Sequence, residues 1–320
     1  MNKFVIFNYG DGYQSCIINA IKDDIDAYHF LNFKSNVMRK LFETHNSWPV
    51  NKNHELPFKR LWFKRVMRGI DVDNNDTVYF LLYENFHLTY SRKFLQYLKK
   101  NYVNAKFCYV FSNPAGAYNL AKVKYIKDYL DGIITFNKKD AEEHNFLYCP
   151  NQPYKVPLYP LDDKKSDVFF IGADKGRLSI LLNLYERLSV AGIICDFYIV
   201  GVPEEKQKFA SGITYNKRLT YEEVLQKVAS TRCVLEVLQS AENYVSIRTY
   251  EALQYHTKLL TSSQAARKFE FYNEDVIQIF SDVEDINVDF IKQSVDDKSF
   301  PDEKFGSSEP LKKFLIENVK

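Results

Sequence analysis

Short apolar segments recur along the chain, and most are followed by stretches in which apolar residues return every three or four positions. In the first half, the predicted strands are Lys3–Asn8, Asp26–Leu31, Asp76–Leu82, Lys106–Phe111 and Gly132–Phe136. In the second half, they are Ser166–Gly172, Asp196–Gly201, Ile213–Tyr215, Val234–Leu238, Lys258–Thr261 and Ile277–Phe280. Apolar strands that alternate with helices are typical of parallel sheets covered on both faces. We therefore expect an α/β protein with doubly wound, Rossmann-like sheets.

A segment rich in proline and polar residues interrupts this alternation near the middle of the chain. It runs from Cys149 to Asp163 and has the composition of a linker between domains. With 320 residues, the chain is long enough for two ordinary hydrophobic cores. We predict one domain over residues 1–152 and a second over residues 153–305. A terminal segment, 306–320, contains an amphipathic helix predicted at Glu309–Val319.

Polar residues follow two of the predicted strands in the first half, at the carboxyl ends where open α/β sheets place ligands. Asp11 lies between two glycines after the first strand, where it either caps the following helix or faces a ligand as a general base. Glu84 and His87 follow the strand at Asp76–Leu82 and are further candidate bases. The alternative for His87 is a structural hydrogen-bonding role at the strand end.

Two cations lie in the loop that follows the first strand of the second half. The loop begins at Gly172 and contains Lys175, a point charge, and Arg177, whose planar fork of donors matches a phosphate. Such a loop is suited to neutralising phosphate groups. Lysine and arginine also solvate ordinary turns, so the residues alone leave both interpretations open.

A second anion site is predicted at the start of the helix Ile247–Tyr255. The hydroxyl of Ser246 can accept one of the N–H groups there, and the remaining N–H groups and the helix dipole attract a phosphate. Arg248 lies in the first turn, and Glu251 lies one turn further, at a distance suited to ribose hydroxyls. The alternative is an ordinary helix start with a serine cap, a solvated arginine and a glutamate.

The segment Pro57–Ile70 has a different pattern, in which apolar residues at helical spacing alternate with five cations and no acid. A basic amphipathic helix that contains a tryptophan is suited to an anionic membrane surface. The alternative is an edge helix that packs its apolar stripe on the core of its domain. We therefore predict either membrane docking through Phe58–Arg68 or a structural helix.

Composition narrows the function classes. A formal charge of +2 indicates no nucleic-acid partner by itself, and five scattered cysteines read as reduced thiols in a cytoplasmic protein. The sequence contains no signal-peptide pattern and no apolar run of membrane-spanning length, which predicts a soluble, intracellular protein. Asp71-Val72-Asp73 has the spacing of a metal-binding triplet, but it precedes a strand, so we interpret it as a turn and predict no metal site.

The motif Ser-x-Arg-x-x-Glu-Ala-Leu at Ser246–Leu253, which runs into Lys258–Thr261, resembles the donor-nucleotide segment of GT-B glycosyltransferases of bacterial surface-polysaccharide pathways. The resemblance implies that the helix start and the basic loop bind the donor diphosphate, that Glu251 holds the ribose, and that the backbone around Arg218–Tyr221 contacts the base. One departure bears on stereochemistry: where retaining relatives carry a second acid, this chain has Asn243.

The resemblance also implies the architecture and the reaction. Two Rossmann-like domains would face each other across a cleft, with acceptor binding in the first, nucleotide-sugar binding in the second and the terminal helix packed back on the first. The implied reaction transfers a sugar from a nucleotide diphosphate sugar, UDP-linked by preference, to a glycan or lipid-linked saccharide of capsule or lipopolysaccharide synthesis. It would take place in the cytoplasm or on the inner face of the membrane, without a metal. A nucleotide-sugar epimerase and a non-catalytic partner subunit are the alternatives.

Overall fold

The chain is described from a computed structural model. The structure describes residues 1–8, 12–21, 27–30 (backbone only), 33, 35–73, 75–160, 164–239 and 244–319. The chain divides into two compact units: the first comprises Met1–Tyr154 together with Gly306–Lys320, and the second comprises Lys155–Phe305.

The first unit contains a sheet of six parallel strands. These strands are β1 (Asn2–Asn8), β2 (Ala27–Phe30), β3 (Thr77–Tyr83), β4 (Ala105–Val110), β5 (Gly132–Thr135) and β6 (Leu147–Tyr148). Their order is β2-β1-β3-β4-β5-β6, so successive connections run to opposite sides of β1. In open α/β sheets, ligands bind at such a switch point, outside the carboxyl ends of the strands. In this unit the switch point lies between β1 and β3.

Helices cover this sheet, and aromatic side chains fill its core. The helices described here are α1 (Tyr13–Ile21), α2 (Asn36–Asn46), α3 (Trp48–Asn51), α4 (Arg60–Val66), α5 (Arg92–Asn101), α6 (Ala117–Ile126) and α7 (Lys138–His144). Phe7 on β1 stacks on Phe80 on β3 at 5.7 Å between ring centroids, and Phe80 stacks on Phe107 on β4 at 5.6 Å. This ladder of aromatic rings packs the side chains of three adjacent strands against one another.

The second unit has a second parallel sheet of six strands. Its strands are β7 (Ser166–Ala173), β8 (Cys195–Val200), β9 (Ile213–Tyr215), β10 (Thr231–Glu236), β11 (Lys258–Thr261) and β12 (Ile277–Ile279). Its helices are α8 (Leu178–Val190), α9 (Tyr221–Ala229), α10 (Ile247–Gln254) and α11 (Val288–Lys292). The strand order β12-β11-β10-β7-β8-β9 places the switch point between β7 and β10. The prediction of doubly wound parallel sheets is therefore confirmed in both units.

The terminal helix α12 (Glu309–Asn318) belongs to the first unit, so the chain returns there after the second unit is complete. Leu311 and Leu315 on α12 are buried, and Val319 lies against β5. A Cβ added at Gly132 would come within 3.1 Å of Val319 Cγ2. The glycine therefore lets the end of the chain approach the strand closely.

The basic segment of the first half forms a shorter helix than predicted. The prediction covered Pro57–Ile70, whereas α4 extends from Arg60 to Val66. Phe58 and Gly69, at its two sides, have left-handed backbone conformations with φ of 62° and 84°, which stop the helix. Within the described ranges, no helix is both long and apolar enough to span a bilayer.

Candidate functional site

The start of α10 has the predicted cap. Ser246 is extended, and its Oγ accepts a hydrogen bond from the Arg248 backbone N–H at 3.1 Å. The same hydroxyl donates to Glu236 at the carboxyl end of β10. Ser246 thus joins the helix start to the strand at the switch point of the second unit, and the dipole of α10 makes this point favourable for an anion.

Glu251 lies in the interior of the second unit, with none of its surface exposed. Its Oε2 pairs with Arg248, whose side chain is 21% exposed, and its Oε1 accepts a hydrogen bond from the Tyr221 hydroxyl at 2.9 Å. Burial raises the pKa of Glu251, and the Arg248 charge and the hydrogen bond from Tyr221 oppose that rise. A ribose can therefore reach this carboxylate only by replacing one of its two present partners.

Glu236 was not among the residues predicted for the site. It ends β10, is 4% exposed, and accepts hydrogen bonds from Ser246 and from Thr261 Oγ1. Burial raises the pKa of Glu236, the two hydroxyl donors and the Arg248 charge lower it, and the neighbouring Glu251 raises it. The signal in the sequence was an acidic residue inside the apolar strand Val234–Leu238, which is costly unless the carboxyl group has partners.

Arg177 binds backbone carbonyl groups on both sides of the switch point. It occupies the N-cap position of α8 and donates to the carbonyl oxygens of Ala173 and Asp174, at the end of β7, and of Val237, just after β10. Burial lowers the pKa of its guanidinium group. The fork predicted to hold a phosphate therefore ties the loops after β7 and β10 together.

The other residues of the loop after β7 differ in their surroundings: some are packed and one is exposed. A Cβ added at Gly172 would lie 3.1 Å from Arg177 Nη2, so the glycine provides the room for the guanidinium. Asp174 Oδ1 accepts the Leu178 N–H at 2.8 Å and caps α8 with a negative charge. Lys175 is exposed. Asp174 accepts an N–H group at the start of α8, whereas Arg248 adds a cation to the first turn of α10, so the start of α10 is the better anion site of the two.

Arg218 and Tyr221 lie near the start of α9, after β9. Arg218 is exposed, and Tyr221 is half-buried with its hydroxyl directed to Glu251. Thr220 caps α9 and forms a capping box with Glu223. Tyr221 thus connects the loop predicted to contact the base with the acid predicted to hold the ribose.

In the first unit, Glu84 lies at the switch point, directly after β3. Its Oε1 accepts hydrogen bonds from Ser112 Oγ at 3.0 Å and Asn113 Nδ2 at 2.5 Å, and its Oε2 accepts from Asn119 Nδ2 at 2.9 Å. A carboxylate offers about four acceptor positions, so most are already used. This network holds the Glu84 carboxyl group in a fixed orientation.

Of the two other predicted bases, the structure describes His87 but not Asp11. His87 begins a 3₁₀ turn, His87–Tyr90, and its ring lies 5.9 Å from that of Phe42. Burial lowers the pKa of His87, which favours the neutral imidazole at pH 7. Asp11 lies outside the described residues.

No metal cluster is evident in the part of the chain that the structure describes: no group of three His, Cys, Asp or Glu side chains is placed to hold an ion. Asp73 Oδ1 accepts the Asn75 N–H at 2.9 Å, and the Asp76 N–H bonds to the Asp73 carbonyl at 3.1 Å. Asp73, the last residue of the triplet Asp71-Val72-Asp73, therefore begins a turn.

Comparisons with known proteins bear on the fold. No protein-family model and no curated protein sequence matches the chain. Among solved structures, it is similar to an alpha-glucosyltransferase in complex with UDP and a 13-mer DNA containing an HMU base, with 10% identity, 100% of this chain and 96% of that chain covered, and a TM-score of 0.56. A structure of an alpha-glucosyltransferase with UDP and DNA containing an A:G mismatch gives the same identity and coverage, with a TM-score of 0.54. The two parallel α/β units of this chain therefore have the fold of GT-B glycosyltransferases.

Proposed function

We propose that the protein is a glycosyltransferase that takes a sugar from a nucleotide diphosphate sugar, with UDP as the preferred nucleotide. The observation that carries the proposal is the arrangement at the switch point of the second unit. There, the capped start of α10 with Arg248 and the loop with Lys175 follow the carboxyl ends of β10 and β7. The similar alpha-glucosyltransferase structures contain UDP, which agrees with this donor.

The proposed chemistry is electrostatic. Negative charge develops on the leaving diphosphate during transfer, and fixed positive groups lower the barrier because they need no rearrangement at that moment. Lys175, Arg248 and the N–H groups at the start of α10 supply positive charge from the chain itself. We propose that they act without a metal. Gly172 and Arg177 contribute by holding the two loops at a fixed separation.

Donor binding requires a rearrangement around Glu251, because both of its oxygens are engaged. We propose that the diphosphate draws Arg248 away from Glu251, and that the ribose hydroxyls replace it on Oε2. The exchange keeps the buried carboxylate hydrogen-bonded throughout, which avoids the cost of leaving its oxygens without a donor. Tyr221 retains Oε1, and Arg218 is available for the base.

The acceptor is proposed to bind at the first unit, where Glu84 and its amide partners form a polar site after β3. We propose a glycan or lipid-linked saccharide of cell-surface polysaccharide synthesis, bound by an enzyme that works at the cytoplasmic membrane surface. Of the two described candidates, we propose His87 as the proton acceptor, because three side-chain donors already hold the Glu84 carboxylate. Asp11 remains a proposed base.

Titration calorimetry with UDP, UDP-glucose, dTDP and GDP tests the donor class. We expect UDP to bind with a Kd in the micromolar range and a nucleoside alone to bind at least about tenfold more weakly, because the diphosphate carries the charge recognition. Equal affinities for uridine and UDP would contradict the proposed diphosphate site. Incubation with UDP-sugars without an acceptor is the companion assay: isomerisation of the sugar would replace transfer with epimerisation.

A further inference from the structure

The packing of α4 against α5 leaves a surface groove of about 670 Å³ on the first unit. Phe63 joins the two helices from beneath, with its ring 5.1 Å from Phe94 and 5.5 Å from Tyr97. The cations lining the groove are Lys59, Arg60, Lys93 and Lys100, and its apolar lining includes Phe58 and Leu61. This surface combines charge and apolar character from two helices that are 25 residues or more apart in the chain.

The outward-facing charge of the groove is positive. Lys59 and Glu55 form an ion pair at 3.5 Å with side chains only 2% and 5% exposed, so the charge of Glu55 is balanced inside. Arg60, Lys93 and Lys100 are exposed. The sequence has no acidic residue between positions 57 and 70 or within α5. Like charges gathered without acids favour an anionic partner.

Two large apolar side chains project among these cations. Phe58 is 79% exposed and Leu61 is 72% exposed, whereas Trp62, Phe63 and Val66 from the same segment are buried. Phe58 also has a left-handed backbone with φ of 62°, a conformation that bulky residues rarely adopt. The apolar stripe of the segment is thus divided: one part completes the core, and Phe58 and Leu61 remain in solvent.

We propose that this surface, which we call the α4/α5 patch (Phe58, Arg60 and Leu61 with Lys93 and Lys100), docks on a bilayer containing anionic phospholipids. The cations would contact the headgroup phosphates, and Phe58 and Leu61 would enter the boundary with the acyl chains. A nucleic-acid backbone would use the cations but would not bury the two apolar side chains. The exposed Phe58 and Leu61 therefore favour a lipid surface over nucleic acid.

This inference deepens the membrane-surface part of the proposed function, but its test uses neither donor nor acceptor. Full-length protein is sedimented at low and high salt with vesicles of phosphatidylcholine alone and with vesicles that contain about 30% phosphatidylglycerol. This anionic content gives the vesicles a strong negative surface potential. We expect salt-sensitive binding to the anionic vesicles. Duplex DNA at the same ionic strength is the competing ligand.

Variants separate the two components of the patch. The double variant F58S/L61S should lower the vesicle partition coefficient by at least about tenfold, since it removes the apolar insertion. Substituting Arg60, Lys93 or Lys100 by Gln should lower it by about fivefold each. Val190→Ser, at a residue that is 85% exposed in the second unit, is the matched control and should leave binding unchanged. Thermal unfolding confirms that each variant is folded.

Three results would overturn the inference. The first is equal binding to neutral and anionic vesicles, and the second is vesicle binding that F58S/L61S does not weaken. The third is binding to duplex DNA that exceeds binding to vesicles and responds only to the cation variants, which would assign the patch to nucleic acid. UDP affinity, measured on the same variants, should remain at the wild-type value. If the proposed donor site is wrong, the UDP affinity will show it, and the vesicle sedimentation will not be affected.

Discussion

Arg248 and Glu251, one turn apart on α10, form an ion pair in which the carboxylate has no exposed surface. The same guanidinium is the group that we propose for the donor diphosphate. The native fold and the bound donor therefore compete for one side chain. Because of this competition, the folding stability of an Arg248 variant must be measured before a loss of its activity is attributed to weaker donor binding.

Arg248→Ala should lower the free energy of unfolding by about 3–5 kcal/mol, because it leaves a buried carboxylate without its counter-charge. The double variant R248A/E251Q should recover much of that loss, since the amide at position 251 carries no charge. Both variants should bind UDP at least about tenfold more weakly than wild type. Urea unfolding and calorimetry measure the two effects, and wild-type UDP affinity in the double variant would exclude Arg248 from the diphosphate site.

Lys175→Ala should weaken donor binding without changing the stability of the fold. The side chain is exposed, so we expect the free energy of unfolding to stay within about 0.5 kcal/mol of wild type. Loss of one point charge near the diphosphate should weaken UDP binding by about fivefold to tenfold at low salt, and less at high salt. Lys298→Ala removes another exposed lysine of the second unit and serves as the control. Equal effects of the two substitutions would mean that Lys175 acts only through net charge.

Glu236→Gln should make folding stability less dependent on pH. Burial raises the pKa of Glu236 above its ordinary value of 4.5, so the native state binds this proton more tightly than the unfolded state. The stability gained from that proton is fully present below pH 4.5 and is lost as pH rises through the native pKa. Relative to wild type, the Gln variant should therefore become more stable as pH increases from 4.5. Urea unfolding at several pH values tests this, and a constant difference would mean that the native pKa is not raised.

The local features of the site could be predicted from the sequence, and the long-range ones could not. Ser246 was identifiable as a cap because its partner, the Arg248 N–H, is two residues away. Arg177 was assigned to phosphate because its type and position suit one, but its carbonyl partner at Val237 is 60 residues distant. The burial of Glu251 depends similarly on Tyr221, which is 30 residues away. The doubly wound parallel sheets followed from the alternation of strands and helices, which is a repeating local pattern.

Gly172→Ala should disturb Arg177 and through it the two loops. The added Cβ would lie 3.1 Å from both Arg177 Nη2 and Phe170 Cζ, so the guanidinium must shift and its bonds to the loop carbonyls weaken. We expect a loss of about 1–3 kcal/mol in the free energy of unfolding, together with weaker UDP binding. Gly116→Ala is the matched control, because a Cβ there meets nothing within 4 Å, and it should cost less than about 1 kcal/mol. Similar losses in both variants would show that the effect is not specific to Arg177.

Glu84→Gln tests whether Glu84 positions the acceptor or removes its proton. Three side-chain donors already hold the carboxylate, and an amide at this position would turn an N–H₂ group toward at least one of them. We expect the KM for the acceptor to rise by about tenfold while kcat falls by less, because an organised polar site is lost and the proton acceptor is retained. A general base would give the reverse, with kcat lower by a factor of about 10² to 10⁴ and KM little changed. His87→Gln provides the comparison: if His87 accepts the proton, the fall in kcat belongs to that variant, and steady-state kinetics on the two proteins decide between them.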